Sequence, residues 1–292
     1  MKLLDAIGNT PLIDVSHLLQ QPGVKLLAKL EGNNPGGSVK DRAALRMLNG
    51  ALRRGELQPG DRLVEATSGN TGIALAMIGP LLGIGVTLVM PHNSTRERIL
   101  TSRAYGAEVL LTPEGQTMED VRVRADQLAE EHGWAQLDQF ANPDNAEAHY
   151  ATTGPEIWRD TDGSVTHFVS AMGTTGTIMG VSRYLKEQNE NVHIVGTRPT
   201  EGSNIPGIRR WPQEFLPRIF EPERVDELLD VSEAEAVSAT RRLAAQAGIL
   251  AGMSSGGALA AAERLGRTLD AGTIVFIVCD RGDRYLSSEL YA

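Results

Sequence analysis

Short runs of β-branched and aliphatic residues alternate along this chain with longer stretches of helical periodicity. The runs lie at residues 25–30, 62–66, 86–90, 108–111, 166–171, 193–196 and 273–278. Helical patterns fall between or after them, at 41–54, 71–82, 96–105, 118–132, 146–158, 176–187, 233–247 and 257–269. Strand–helix–strand repetition predicts an α/β fold of mostly parallel, twisted sheets with helices on both faces. At roughly 150 residues per domain, a length of 292 suits two three-layer domains of this kind. Such sheets bind ligands at the carboxyl ends of their strands, so the chemistry is expected in the turns that follow them.

Composition removes several classes of function. There are 37 acidic residues against 28 basic ones, a formal charge of −9. Phosphate affinity comes mainly from Lys and Arg, so the balance argues against a nucleic-acid partner and against an anionic membrane surface. Residues 73–90 form an 18-residue stretch without a charge. Gly79, Pro80, Gly83 and Gly85 punctuate it, which predicts a buried helix, a turn and a buried strand, with no membrane span. Asp5 and Gly8 interrupt the N-terminus too early for the apolar core of a signal peptide, so a cytoplasmic protein is expected. The one cysteine, Cys279, excludes an internal disulfide and fits a reducing compartment. His17, His92, His132, His149, His167 and His193 are scattered without HExxH spacing, so no metal site is expected.

Four small-residue turns stand out. NNPGGSVKDR (33–42) opens a helix with Lys40 in its first turn. A cation there faces the positive end of the helix dipole. Either Lys40 is a solvated surface lysine, or it is neutralised or imine-linked and escapes that cost. TSGNTG (67–72) offers two glycines and the hydroxyls of Thr67, Ser68 and Thr71 at a helix start. It reads as a carboxylate cradle or as an unliganded, N-capped helix. GTTGT (173–177) combines glycines, hydroxyls and a helix N-terminus, as a phosphate cup does. It lacks the GK[ST] ending of a P-loop, so a single phosphate suits it better than a triphosphate. GMSSGG (252–257) contains a GxSxG match at Ser254. An α/β hydrolase would need a histidine after that serine. The last histidine is His193, so that reading fails. Residues 198–230 break the rhythm with five prolines, as a functional loop or as a surface excursion.

In combination these turns resemble those of the fold type II enzymes that use pyridoxal 5'-phosphate, and within them the O-acetylserine sulfhydrylase family, B-type branch. The resemblance runs from IGNTPL (7–12) through TTGPEIW (152–158) and IPGIRRW (205–211) to CDRGDRYLS (279–287), in family order. It implies that Lys40 carries the cofactor as an imine and later serves as the base. Gly173, Thr174, Thr175, Gly176 and Thr177 would hold its phosphate, Asn70 its ring hydroxyl and Ser254 its pyridine nitrogen. Thr67, Ser68, Asn70, Thr71 and Gln139 would grip the substrate carboxylate. The implied reaction replaces the acetyl group of O-acetylserine with sulfide to give cysteine and acetate. O-phosphoserine as acceptor, or an inactive binding protein of the same fold, are the alternatives. Arg209 and Arg210 would either admit thiosulfate, giving S-sulfocysteine, or stand as exposed loop charges. Cys279 and Asp280 would border the site at a strand end, unless Cys279 is merely a buried thiol. The resemblance further implies a small domain of residues 35–145, a large domain of 1–34 plus 146–292, a cleft between them, and a homodimer.

Overall fold

The computed structural model describes residues 1–67 and 69–292. Ser68 lies outside the described residues. The strands are β1 (Leu12–Asp14), β2 (Val24–Leu30), β3 (Arg62–Ala66), β4 (Gly85–Met90), β5 (Glu108–Leu111), β6 (His167–Ala171), β7 (His193–Pro199), β8 (Glu227–Val231) and β9 (Gly272–Val278). Among the described residues they form two sheets, ordered β1-β2-β9-β6-β7-β8 and β3-β4-β5. Every pairing is parallel except β1 with β2.

The central strands read as continuous apolar runs because both their faces are covered. In β9, Ile274, Phe276 and Val278 enter one core, while Val275 and Ile277 enter the core on the opposite face. Helices α8 (Glu233–Ala247) and α9 (Met253–Gly266) supply the first core, and α6 (Gly154–Asp160) and α7 (Gly176–Gln188) the second. The smaller sheet repeats the pattern. Leu63 and Leu88 pack under α1 (Lys40–Arg54) and α2 (Asn70–Leu81), and Val64 and Val89 under α4 (Met118–His132). The remaining helices are α3 (Arg96–Ala104) and α5 (Pro143–Ala148).

The uncharged stretch at 73–90 is a helix, a turn and a strand, as expected. No helix among the described residues is long and apolar enough to cross a membrane. Three sequence expectations need correction. Strands β1 and β8 were not anticipated, since one is three residues long and the other ends the proline-rich segment. The helix expected over 146–158 is divided by a π-helical turn, His149–Thr153. Helix α9 begins at Met253, four residues earlier than expected, so Ser254 sits inside its first turn.

Candidate active site

Strands β3, β6 and β9 point their carboxyl ends at one cleft of about 990 Å³. The helices that start there, α1, α2, α7 and α9, have no side-chain N-cap, whereas α4, α5 and α8 do. Uncapped first turns leave backbone N–H groups free for an anion. Of the residues singled out in the sequence, Lys40, Thr67, Asn70, Thr71, Gln139, Gly173, Thr174, Thr175, Thr177, Arg209, Arg210 and Ser254 all line this cleft. Gly176 stands just behind its wall.

Lys40 begins α1 at the cleft floor. Among the described residues its Nζ makes no hydrogen bond or ion pair. Burial lowers its pKa, and the nearby Cys279 and Asp280 offset this only in part. The position is therefore not that of a solvated surface lysine. It holds an amine with part of its positive charge penalised by desolvation.

The 173–177 turn lines the same cleft as Lys40. Thr175 adopts a left-handed backbone, φ +69°, which turns the chain back into α7. Its Oγ1 is buried and has no partner among the described residues. A Cβ on Gly173 would stand 2.7 Å from the Gly207 carbonyl oxygen, and one on Gly176 would meet the Asn145 amide at 2.1 Å. Asn145 Nδ2 in turn donates to Thr174 Oγ1 at 3.1 Å, and Trp211 Nε1 donates to the Gly173 carbonyl at 2.8 Å. The turn is thus braced by its neighbours, and of its three hydroxyls only that of Thr175 has no partner among the described residues. His149 contacts Thr177 Oγ1 through Nε2 at 3.3 Å and Thr153 Oγ1 through Nδ1 at 2.9 Å. Burial, then the charge of Arg42, pull its pKa down to about 3, so it is a neutral, satisfied core histidine.

Elsewhere along the cleft, Thr71 Oγ1 donates to Gln139 Oε1 at 2.7 Å, and Thr67 Oγ1 accepts from the Gly69 N–H at 3.2 Å. Asn70 Nδ2 donates to Asp280 Oδ2 at 2.7 Å. Ser254 is 4% exposed, and Gly207, at φ +92°, passes its hydroxyl closely enough that a Cβ would stand at 3.2 Å. Cys279 lines the cleft too, but burial and then Asp280 push its thiol up to about 11, so it is protonated at neutral pH.

The two arginines of the 205–211 motif differ. Arg210 is bound to Asp230 and to the Pro199 carbonyl, and Arg198 shares that aspartate. Arg209 lies over the Trp211 ring at 5.2 Å and has no carboxylate partner among the described residues. Two cations of the cleft mouth escaped the sequence reading. Arg98 lies over Tyr285 at 4.9 Å, and Arg122 over Phe140 at 5.0 Å. Their helices carry no small-residue motif, so nothing local marked them. No group of three potential metal ligands occurs among the described residues.

Both sheets thus contribute to a cleft lined by a desolvated amine and by a turn of glycines and hydroxyls, on an α/β fold. The sequence pattern of the pyridoxal-phosphate-dependent enzyme family matches residues 3–280, and the chain belongs to that family. It is 58% identical over 289 residues to cysteine synthase B of Pseudomonas aeruginosa, covering 99% of this chain and 97% of that protein. It is 55% identical to cysteine synthase B of Escherichia coli, covering 99% and 95%. Among solved structures, O-ureido-L-serine synthase superposes with a TM-score of 0.93 at 36% identity, covering 99% of this chain and 94% of the other. Cysteine synthase from Entamoeba histolytica gives 0.93 at 37%, covering 99% and 90%. The cleft suits pyridoxal phosphate on its own terms. The orphaned Thr175 hydroxyl and the two glycines that admit no Cβ fit a cup for one phosphate, and the amine of Lys40 has no hydrogen bond or ion pair among the described residues.

Proposed function

We propose that the protein is a cysteine synthase, exchanging the acetyl group of O-acetyl-L-serine for sulfide to release L-cysteine and acetate. The observation that carries this reading is that Lys40, desolvated and without a hydrogen bond or ion pair among the described residues, lines the same cleft as the 173–177 turn. When bound, pyridoxal phosphate supplies the sink for the electron pair left at Cα. The chain's own residues do the rest. Gly173 to Thr177 hold the phosphate through backbone N–H groups and hydroxyls. Ser254 donates a neutral hydrogen bond to the pyridine nitrogen without fixing a proton there. Asn70 holds the ring hydroxyl. Thr67, Ser68, Asn70, Thr71 and Gln139 receive the substrate carboxylate. Lys40 Nζ takes the α-proton, and its lowered pKa keeps more of the amine in the basic, neutral form. Acetate then leaves Cβ, and hydrosulfide adds at the same carbon.

Thiosulfate is the second donor we assign, giving S-sulfocysteine. It carries two negative charges into a cleft already holding a phosphate and a carboxylate, and it needs a compensating cation. Arg209 lines the cleft with no carboxylate partner among the described residues, which favours it for that role over Arg210, engaged with Asp230. The same cations favour O-phosphoserine as a second reading of the acceptor. We further assign residues 35–145 to a small domain, and 1–34 with 146–292 to a large one. The functional form is a homodimer in the cytoplasm, where the single cysteine and a sulfide substrate suit reducing conditions. The test is direct. Purified protein loaded with pyridoxal phosphate should change its visible absorption on adding O-acetylserine, release acetate, and form cysteine when sulfide follows. Phosphate release from O-phosphoserine with no acetate from O-acetylserine would select the second reading. Neither product would refute both.

A further inference from the structure

Asn70 lines the cleft, but the groups that hold its side chain stand behind the cleft wall. Asp280 is 1% exposed and Arg284 8% exposed. The Asn70 carboxamide is gripped at both ends. Its Nδ2 donates to Asp280 Oδ2 at 2.7 Å, and its Oδ1 accepts from Arg284 Nη1 at 2.5 Å. A carboxylate can only accept and a guanidinium can only donate, so these two partners permit one orientation of the amide. Left alone, the terminal torsion of an asparagine is broad and roughly two-fold. A flipped amide here would set N–H against N–H at Arg284 and oxygen against oxygen at Asp280.

Both partners are themselves fixed. The Tyr285 hydroxyl donates to the same Asp280 oxygen at 2.7 Å. Burial, then the charge of Asp280, raise the Tyr285 pKa well above its ordinary value, so the hydroxyl stays a donor. Arg284 also donates to the carbonyl of Gly36, in the turn that leads to Lys40. Asp280, Arg284 and Tyr285 all belong to the CDRGDRYLS segment, which follows β9 in the larger sheet, whereas Asn70 opens α2 beside the smaller one.

We propose that Asp280 and Arg284 are positioning residues that fix the Asn70 carboxamide so that its second Nδ2–H, and never its carbonyl oxygen, meets the cofactor's ring oxygen. The inference rests on the assignment of Asn70 to that oxygen above. Its consequence is electronic: a donor at an anionic ring oxygen stabilises the charge there, whereas a carbonyl oxygen would drive a proton onto it. The clamp therefore sets the protonation state of the bound cofactor.

The experiment uses the holoenzyme. Asp280→Asn keeps the shape of the side chain but replaces an obligatory acceptor with a group that can also donate, so Arg284 alone is left to oppose a flip of Asn70. The ratio of near-ultraviolet to visible absorption of the bound cofactor should rise by about tenfold, the lower end of the scale of one hydrogen bond to a charged group. Asn70→Ala should shift the ratio the same way, and the double variant should go no further, because the two act through one contact. A wild-type ratio in Asp280→Asn, or additive shifts in the double variant, would overturn the proposal. Should Asp280→Asn not fold, wild-type protein labelled with ¹⁵N-asparagine decides. One Nδ2 proton of Asn70 should exchange slowly in the cofactor-free protein, and only the other should move when pyridoxal phosphate is added. Two fast protons, or two that move, would overturn it. Wild-type protein that takes up no pyridoxal phosphate would instead sink the cofactor reading of the cleft, and this proposal with it.

Discussion

Lys40 and Arg42 lie two residues apart in the first turn of α1, and the fold treats them in opposite ways. Arg42 is 3% exposed, with every nitrogen paired. It donates to Glu31 at 2.7 and 2.8 Å, to Glu156 twice at 2.7 Å, and to Thr10 Oγ1 at 3.1 Å. Lys29 completes the cluster, 2.7 Å from Glu156 and 2.7 Å from the Thr10 carbonyl. Burial opposes the charge of Arg42, but Glu31 and Glu156 outweigh it and raise its pKa. Burial alone would raise Glu156 as well, and Arg42 with Lys29 bring it down to about 2. Lys40 receives no such partner, only the partial effect of Cys279 and Asp280. The contrast separates anchoring from reactivity. A fully paired ion cluster ties the root of α1 to β2, to the N-terminal segment and to α6. The neighbouring Lys40 amine has no hydrogen bond or ion pair among the described residues and so remains available to a ligand.

The comparison can be broken at either end. Lys40→Ala should lower turnover by about 10⁴-fold or more, since the cofactor link and the base go together. Urea unfolding of the cofactor-free variant should show no loss of stability, because only a desolvated, unpaired amine has been removed. Arg42→Met should do the reverse to stability. It strands Glu31 and Glu156 without their main counter-ion, and removing one partner of a buried ion pair costs about 3–5 kcal/mol. A loss of stability in Lys40→Ala equal to that in Arg42→Met would erase the distinction.

Glu65 sharpens the comparison as a second buried ionisable group with no ion-pair partner among the described residues. It accepts backbone N–H groups of Leu137 at 2.6 Å and Asp138 at 3.1 Å. Burial outweighs those bonds and raises its pKa from 4.5 to about 7. A carboxyl pKa raised on folding stabilises the protein below the unfolded value, and that contribution is lost as the pH rises through about 7. Glu65→Gln should therefore be more stable than wild type at pH 8 by roughly 3 kcal/mol. The gap should close as the pH falls toward 4.5. Thermal melts across that range would show it, and a gap independent of pH would refute the assignment. The smallest effect concerns the cleft mouth. Arg209→Ala should reduce thiosulfate turnover by about tenfold to a hundredfold, the scale of one charge-assisted contact. Sulfide turnover should fall far less, and Arg210→Ala should do less to either, since Asp230 already holds that side chain. Equal losses with both donors in both variants would place the arginines in loop structure alone.

What the sequence made legible was local. The buried strands β4 and β9 read as unbroken apolar runs, and GTTGT and NNPGGSVKDR marked turns that contribute residues to the cleft. Strand β1 is invisible locally because it exists only as the partner of β2, Leu12 opposite Lys29. Helix α9 starts early because Gly256 lies within a close helix contact, where a Cβ would stand 2.0 Å from Thr240 Oγ1. Read alone, that glycine pair suggested a loop. Arg98, Arg122 and the grip of Asp280 on Asn70 were hidden for another reason. They depend on residues brought together from distant elements, and no spacing within one motif records such a meeting.

The central claim is that Lys40 alone, among the lysines of this chain, is placed to bind the cofactor. Borohydride reduction of the holoenzyme, followed by proteolysis and peptide mapping, tests it most directly. The account predicts that pyridoxal phosphate is fixed on the peptide containing Lys40 and on no other. Label on Lys29, which is fully buried and paired with Glu156, or on the surface residues Lys25 or Lys186, would contradict it.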